Sequence, residues 1–105
     1  MIARTWHGVT PSSKADRYLD YLNETGVLEY RSAEGNQGVY VLRRIEGDRA
    51  HFLFLSLWES VDAITRFSGA DPEVAVVPLE AQALLNSWDL RAVHWDVAYH
   101  APRSA

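Results

Sequence analysis

The sequence predicts an α+β fold of the ferredoxin-like, split βαβ type, with a four-stranded antiparallel sheet. Three observations predict it: alternating strand-like segments near both ends of the chain, helical segments that follow strands, and a turn sequence that joins the two middle strands. The 105 residues suit one domain, and 48% of them are hydrophobic, as in globular proteins. We therefore expect a single domain over residues 1–105, with a frayed tail at 101–105.

The first strand and the first helix are predicted at the start of the chain. Residues 2–9 predict a first strand, with the even-numbered side chains on one face, the odd-numbered ones on the other, and neither face cleanly polar. Pro11 suits the first turn of a helix, and Ser13 with Asp16 three residues later resembles a capping box. Gly26 is then expected to end this helix.

The middle of the chain predicts a hairpin. Residues 31–38 are rich in glycine and polar side chains and predict a loop, and residues 39–45 predict the second strand. The Glu-Gly-Asp sequence at 46–48 is typical of turns between antiparallel strands. Residues 51–58 are almost all apolar, so both faces of this central strand should be covered.

The remaining residues predict two helices and a last strand. Ser60 is a helix N-cap, and Gly69 is the expected end of that helix. The run at 73–77 is short and β-branched, and Pro78 starts a brief helix that reaches residue 85. Residues 92–100 alternate as a final strand.

The apolar central strand also predicts a partner. Two helices can cover only one face of a four-stranded sheet, whereas Leu53, Leu55 and Leu57 need cover on the other. Burial of each leucine contributes roughly 1.5–3 kcal/mol. A second copy of the chain is the simplest cover, because most soluble oligomers are symmetric homo-oligomers. We therefore expect a homodimer.

Charge and composition narrow the classes of function. The formal net charge of -4 argues against nucleic-acid binding, which relies on clustered lysine and arginine. No apolar run is long enough to span a membrane, and the N-terminus lacks the features of a signal peptide. There is no cysteine for disulfides. These features predict a cytoplasmic protein.

Several segments of the sequence resemble one family. IARTWHG at the start, EGNQGVYVLRR in the middle, SLWESVDAITRFSG at the centre and the late strand VHWDV resemble the antibiotic biosynthesis monooxygenase (ABM) superfamily. The resemblance covers essentially the whole chain. It implies a dimeric α+β barrel, in which two ferredoxin-like sheets pack face to face and each subunit has a pocket between its sheet and its helices.

The resemblance implies more than one activity, since the superfamily includes cofactor-independent oxygenases of polycyclic aromatic substrates and haem-degrading enzymes. The haem-degrading members use an asparagine on the first strand, a tryptophan at the end of the third, and a histidine on the next helix. Trp58 matches that tryptophan, but Trp6 falls near the asparagine position and residues 59–86 contain no histidine. We therefore expect no haem turnover of that kind and no cofactor, although His7 or His94 remains open as an iron ligand.

Aromatic residues are the first site candidates. By the resemblance, Trp6 and Trp58 face the helices and form pocket walls, with an indole N–H for a substrate carbonyl. Ordinary core packing is the alternative for both. Phe67 on the following helix is a further candidate for substrate binding, and Trp58 is also a candidate for catalysis.

Titratable residues supply the other candidates. His94 and Asp96 lie at i and i+2 on one strand face, about 7 Å apart, close enough to share a substrate. A histidine has the right unperturbed pKa to deprotonate a phenol or enol, so His94 is the first candidate base and His7 the second. A hydrogen-bonded structural histidine is the alternative. Arg4 can hold an anionic oxygen or pair with a carboxylate such as Asp96.

The sequence thus predicts a cofactor-independent monooxygenase that acts on a small aromatic or quinone-like compound. Two alternatives remain: a non-catalytic ligand-binding or stress-related dimeric barrel, and a proton-transfer isomerase with His94 as base. No metal site is expected, because His94 with Asp96 offers too few ligands and His100 lies roughly 20 Å away along a strand.

Overall fold

The computed structural model describes residues 1–75 and 77–104; Val76, in the predicted run 73–77, and Ala105, in the predicted tail, lie outside the described residues. In this structure the helices pack against one antiparallel sheet. Within the described ranges, no helix has both the length and the apolar composition needed to cross a membrane. The elements in chain order are β1 (Ile2–Pro11), a 3-10 turn (Ser12–Lys14), α1 (Ala15–Glu24), α2 (Gly26–Ser32), β2 (Asn36–Glu46), β3 (Arg49–Trp58), α3 (Val61–Ser68), α4 (Leu79–Gln82), β4 (Ser87–Trp88) and β5 (Val93–Asp96).

The strand order confirms the predicted α+β, ferredoxin-like class. It reads β2-β3-β1-β4, and β5 also pairs with β1. β4 pairs with Gly8 and Val9, whereas β5 pairs with residues 2–5, so the two short strands share one edge of β1. The sheet of a single chain is open, because β2 and the β4–β5 edge do not meet.

The predicted last strand is wrong in extent. It was expected over residues 92–100, but regular pairing covers only Val93–Asp96, and β4 was not expected at all. Between them the chain leaves the edge of β1 and bonds to another segment: Ala75 N donates to the Leu90 carbonyl, and Ala92 N donates to the Glu73 carbonyl. Alternation along one segment does not reveal such a change of partner.

The predicted end of the first helix is also wrong. α1 ends at Glu24, but a second helix starts at Gly26 and runs to Ser32, so the predicted loop at 31–38 shortens. Only Thr25 leaves the helical conformation, and its hydroxyl donates to the Tyr21 carbonyl at 2.7 Å. Gly26 is not among the glycines with positive φ, so it does not form the left-handed helix end that favours glycine.

The turn and cap predictions near β3 are confirmed. Gly47, at φ 60, lies in the turn between β2 and β3. The Ser60 hydroxyl caps α3 by accepting a hydrogen bond from Ala63 N at 3.2 Å. Gly69 ends α3 with φ 103.

Alternation along β3 gives the sheet two different faces. Its even-numbered residues, 52–58, are buried under the helices, whereas Leu53, Leu55 and Leu57 on the other face are half-exposed. Trp6 pairs with Phe54 across β1 and β3, so the even-numbered residues of β1 also face the helices. One chain therefore covers one face of its central strand and leaves the other face partly open.

Candidate functional site

A cavity of about 830 Å³ lies between the helices and the helix-covered face of the sheet. Its volume falls in the range of small-molecule sites, and its lining is mainly apolar, as such sites usually are. The charged residues of the lining are Arg4, Glu29 and Glu80. The aromatic residues of the lining are Trp6, Tyr18, Tyr21, Tyr30, Phe54 and Phe67.

Arg4 is the buried charge of this cavity, with 6% of its surface exposed. Its Nη1 donates to the Tyr30 hydroxyl at 2.9 Å, and its Nη2 donates to the Pro72 carbonyl at 3.4 Å. Its Nε is buried and has no hydrogen-bond partner, and none of the ion pairs in the described part of the chain includes Arg4 or Asp96. A buried guanidinium without a carboxylate is unfavourable unless an anion joins it. This environment suits a ligand with an anionic oxygen.

Tyr30 is a site residue that the sequence predictions do not include. Its ring packs edge-on against Phe54 and Phe67, with both centroid distances at 4.7 Å. Burial raises the pKa of its hydroxyl, which therefore stays protonated. Because that oxygen accepts from Arg4, its own proton remains to be donated to a ligand oxygen. The sequence predictions miss Tyr30 because they end the first helix at Gly26, whereas Tyr30 lies beyond it on α2.

Trp6 lines the cavity with its ring, while its N–H is already bonded. Its Nε1 donates to the Asp89 carbonyl at 2.8 Å, so it is not directed to a substrate carbonyl as the resemblance implied. The ring lies over Gly8: a Cβ at position 8 would come within 2.8 Å of Cη2 of Trp6 and 3.1 Å of a methyl group of Leu85. The lack of a side chain at Gly8 therefore makes room for the wall of the cavity.

Gly8→Ala is expected to shift the Trp6 ring and lower the free energy of unfolding by about 1–3 kcal/mol, because a methyl group would overlap that ring. Urea denaturation and tryptophan fluorescence measure the two effects. Gly26→Ala is the matched control, since the nearest side-chain atom to its added methyl group lies at 3.8 Å and its φ is not positive. Equal destabilisation by the two substitutions would contradict the steric explanation.

Trp58 and Phe67 belong to a second core cluster beside the cavity. Phe67 lines the cavity, whereas Trp58 is 0% exposed and does not. The Trp58 indole donates to the Ser56 hydroxyl at 2.9 Å, and its ring packs against Phe67 at 5.2 Å between centroids. Trp58 therefore supports the cavity wall from behind.

The predicted acid–base residues are not brought together at the cavity. His94 pairs with Arg4 across β1 and β5 on the helix side of the sheet, but neither it nor the exposed Asp96 lines the cavity. Burial, and then the Arg4 charge, lower the pKa of His94, so its ring is neutral near pH 7. His7 lies on the opposite face of the sheet, with its Nε2 at 3.1 Å from Nδ1 of His51.

The lowered pKa of His94 predicts that stability decreases in acid. Between the folded and unfolded pKa values the unfolded chain binds this proton and the folded chain does not, so the free energy of unfolding falls as the pH drops below about 6.5. His94→Gln should make the pH dependence shallower, whereas His100→Gln in the exposed C-terminal segment should not. Urea denaturation across pH 5 to 8 tests this, and identical slopes for the parent and His94→Gln would contradict it.

Solved structures with the same fold support the resemblance stated above. A candidate antibiotic biosynthesis monooxygenase from Bacillus cereus matches with a TM-score of 0.73 at 14% identity, covering 100% of this chain and 98% of that one. One from Deinococcus radiodurans matches at 0.65 and 14%, covering 100% of both chains. The haem-degrading protein Rv3592 of Mycobacterium tuberculosis matches at 0.59 and 14%, covering 98% of both.

At these identities the matches show the fold alone, and it is the fold of solved structures named as antibiotic biosynthesis monooxygenases. The predicted resemblance is confirmed at this level. No protein-family model and no curated protein sequence matches the chain. A choice among the activities known on this fold therefore depends on the chemistry of the cavity.

Proposed function

We propose that the cavity binds a small aromatic or quinone-like compound with an acidic oxygen and that the protein oxidises this compound as a cofactor-independent monooxygenase. The observation that carries the proposal is the buried guanidinium of Arg4, which pairs with no carboxylate in the described part of the chain, in the wall of an aromatic cavity. Arg4 and the Tyr30 hydroxyl donate hydrogen bonds to the acidic oxygen of the ligand. Trp6 and Phe67 pack against its ring.

Arg4 promotes oxidation by favouring the ionised ligand, because a nearby positive charge lowers the pKa of a phenol or enol. The ionised ring is electron-rich and passes an electron to dioxygen, and the oxygen then bonds to a ring carbon. Loss of water leaves a quinone: one oxygen atom replaces the hydrogen on that carbon, and the other leaves in water with the ring proton and the phenolic proton. The substrate supplies all four electrons, so no separate reductant is required.

His94 has no direct contact with the ligand in this proposal. It neighbours Arg4 in the strand register, lies outside the cavity lining and carries no charge near pH 7. Arg4 therefore provides the positive charge that meets the ligand. The role of His94 as a direct base, predicted from the sequence, is tested by His94→Ala, for which this arrangement predicts retained oxidation.

Oxygen uptake with anthrone or a hydroquinone as substrate tests the proposed activity. We expect uptake in proportion to protein, with one quinone and one water formed per dioxygen, and its loss in Arg4→Met. Ligand binding without uptake would instead support the non-catalytic alternative. Conversion of the substrate to an isomer without uptake would support the isomerase alternative.

We also propose that the active form is a homodimer. The face of the sheet opposite the cavity carries exposed and partly exposed apolar residues on β2, β3 and β5, which we call the outer face; Thr5 and His7 of β1 lie between those of β3 and β5. Stacking of two such faces would form the dimeric α/β barrel, and the cytoplasmic location stays a prediction from the sequence. The outer face consists of Tyr40, Leu42, Leu53, Leu55, Leu57, Val93 and Trp95.

Haem, which a protein of the same fold degrades, fits this cavity poorly. In the described part of the chain, no histidine lines the cavity, and no three histidine or carboxylate side chains group as metal ligands. Burial keeps the Tyr30 hydroxyl protonated, so it is poorly suited to bind iron as a phenolate. No step of the proposed reaction therefore involves haem.

A further inference from the structure

We infer that the ligand is an aromatic zwitterion, with its acidic oxygen on Arg4 and a protonated amine at its outer end. This inference rests on the proposed function, because it takes the Arg4 cavity as the substrate site. It specifies, beyond that function, that the part of the substrate that extends toward solvent carries a positive charge.

The charges of the lining are arranged by depth. Arg4 is 6% exposed, whereas Glu29 on α2 and Glu80 on α4 are exposed and therefore form part of the cavity rim. Neither carboxylate takes part in an ion pair within residues 1–75 and 77–104. A ligand thus meets a positive charge inside and negative charges where it enters.

A second groove extends the negative rim. It has a volume of about 440 Å³ and shares Tyr21 and Glu80 with the cavity, so the two spaces adjoin. Its other charged residues are Asp20, Glu24 and Arg17, which leaves carboxylates in excess. An amine-bearing substituent that leaves the cavity past Tyr21 would enter this acidic groove.

The interior also contains neutral polar groups for the ring substituents. Tyr18 and Tyr21 line the cavity near Tyr30. Burial, followed by the electrostatic effects of Tyr21 and Tyr30, raises the pKa of the Tyr18 hydroxyl. A protonated hydroxyl both donates and accepts a hydrogen bond. Arg4 is therefore the charged group of the interior, and the rim determines which outer substituent is preferred.

Three para-substituted benzoates of similar size test the inference by isothermal titration calorimetry at low ionic strength. They are 4-(aminomethyl)benzoate, 4-(hydroxymethyl)benzoate and terephthalate, with a positive, neutral or negative outer group. An exposed carboxylate several ångströms from a unit charge changes affinity on the order of threefold in water. We therefore expect the aminomethyl compound to bind roughly tenfold more tightly than the hydroxymethyl compound, and terephthalate to bind most weakly.

The double variant Glu29→Gln/Glu80→Gln should reduce the differences among the three probes to about twofold, because it removes both rim charges. Glu34→Gln/Asp48→Asn is the matched control: it changes the net charge equally at exposed positions away from the cavity and should keep the order. Added salt should weaken the preference in the parent protein.

The outcomes separate this inference from the proposed function. Equal affinities for the three probes, all lost in Arg4→Met, would overturn the zwitterion and leave the Arg4 site standing. An unchanged preference in the double rim variant would also overturn it. Absence of binding by any probe, or binding that does not depend on Arg4, would overturn both.

Discussion

Arg4→Met is expected to weaken binding of an anionic aromatic ligand about 100-fold or more. A hydrogen bond to a charged group contributes roughly 1.5–3 kcal/mol, and two such bonds from one guanidinium exceed the 2.7 kcal/mol that corresponds to 100-fold. The low exposure of Arg4 strengthens the effect, because water does not replace the lost donor. Titration calorimetry with 4-(hydroxymethyl)benzoate measures the loss.

The same substitution should leave the fold intact. Methionine keeps an unbranched chain that reaches about as far as the Nε atom of arginine, and its introduction removes a charge that lacks a carboxylate partner in the described part of the chain. The Tyr30 hydroxyl and the Pro72 carbonyl lose a donor, which offsets part of that gain. We expect the free energy of unfolding to stay within about 2 kcal/mol of the parent value.

Arg44→Met is the matched control for Arg4→Met. It removes the same charge from a side chain that is 70% exposed and that pairs with Glu46 at 3.7 Å. Arg44 lies in the β2–β3 hairpin and is not part of the cavity lining, so its substitution should not change the affinity for the ligand. If the two variants bind equally well, Arg4 is not the anion-binding group.

The sheet face that lines the cavity was predictable from the local sequence pattern. The period of two in a strand puts Arg4 and Trp6 on the same face, and the apolar stripes of α1 and α3 identify the side on which helices pack. Arg4, Trp6 and Phe67 do line one cavity, as the sequence-based assignment of substrate-binding residues requires. Their role as ligand contacts stays a prediction.

The depth of a side chain was not predictable from pattern. Trp58 has the same parity as Trp6, yet α3 and Phe67 cover it completely. Tyr30 reaches the cavity because the chain continues as a helix past Gly26, where the sequence indicated a stop. Both differences arise from packing between elements, which the periodicity of one element does not record.

The histidines show a similar limit. His7 and His94 lie on strands, so parity assigns each a face, and the structure puts them on opposite faces of the sheet. The two side chains therefore cannot contact one ligand on the same face of the sheet. The strand register that decides this depends on the position of β5 along β1, which the alternating sequence 92–100 leaves open.

The outer face leaves large apolar side chains exposed in a single chain. Tyr40 is 58% exposed and Trp95 is 57% exposed, and β-strand pairing puts both on the same side as Leu55. A sheet face of this kind in a stable soluble protein is usually covered, because burial of apolar surface is worth roughly 25 cal/mol per Å². In the proposed homodimer, a second copy would cover it with the same residues through a twofold axis.

Leu55→Glu is therefore expected to convert the proposed dimer into monomers. The twofold axis places the new carboxylate in the interface twice, and burial of each unpaired charge costs several kcal/mol, so dissociation should increase about 1000-fold or more. Analytical ultracentrifugation at micromolar protein measures the change. Leu79→Glu is the control, because it adds the same charge to α4 at a residue that is 79% exposed, away from the outer face. A parent protein that sediments as a monomer, or a Leu55→Glu variant that remains dimeric, would contradict an interface formed by the outer face.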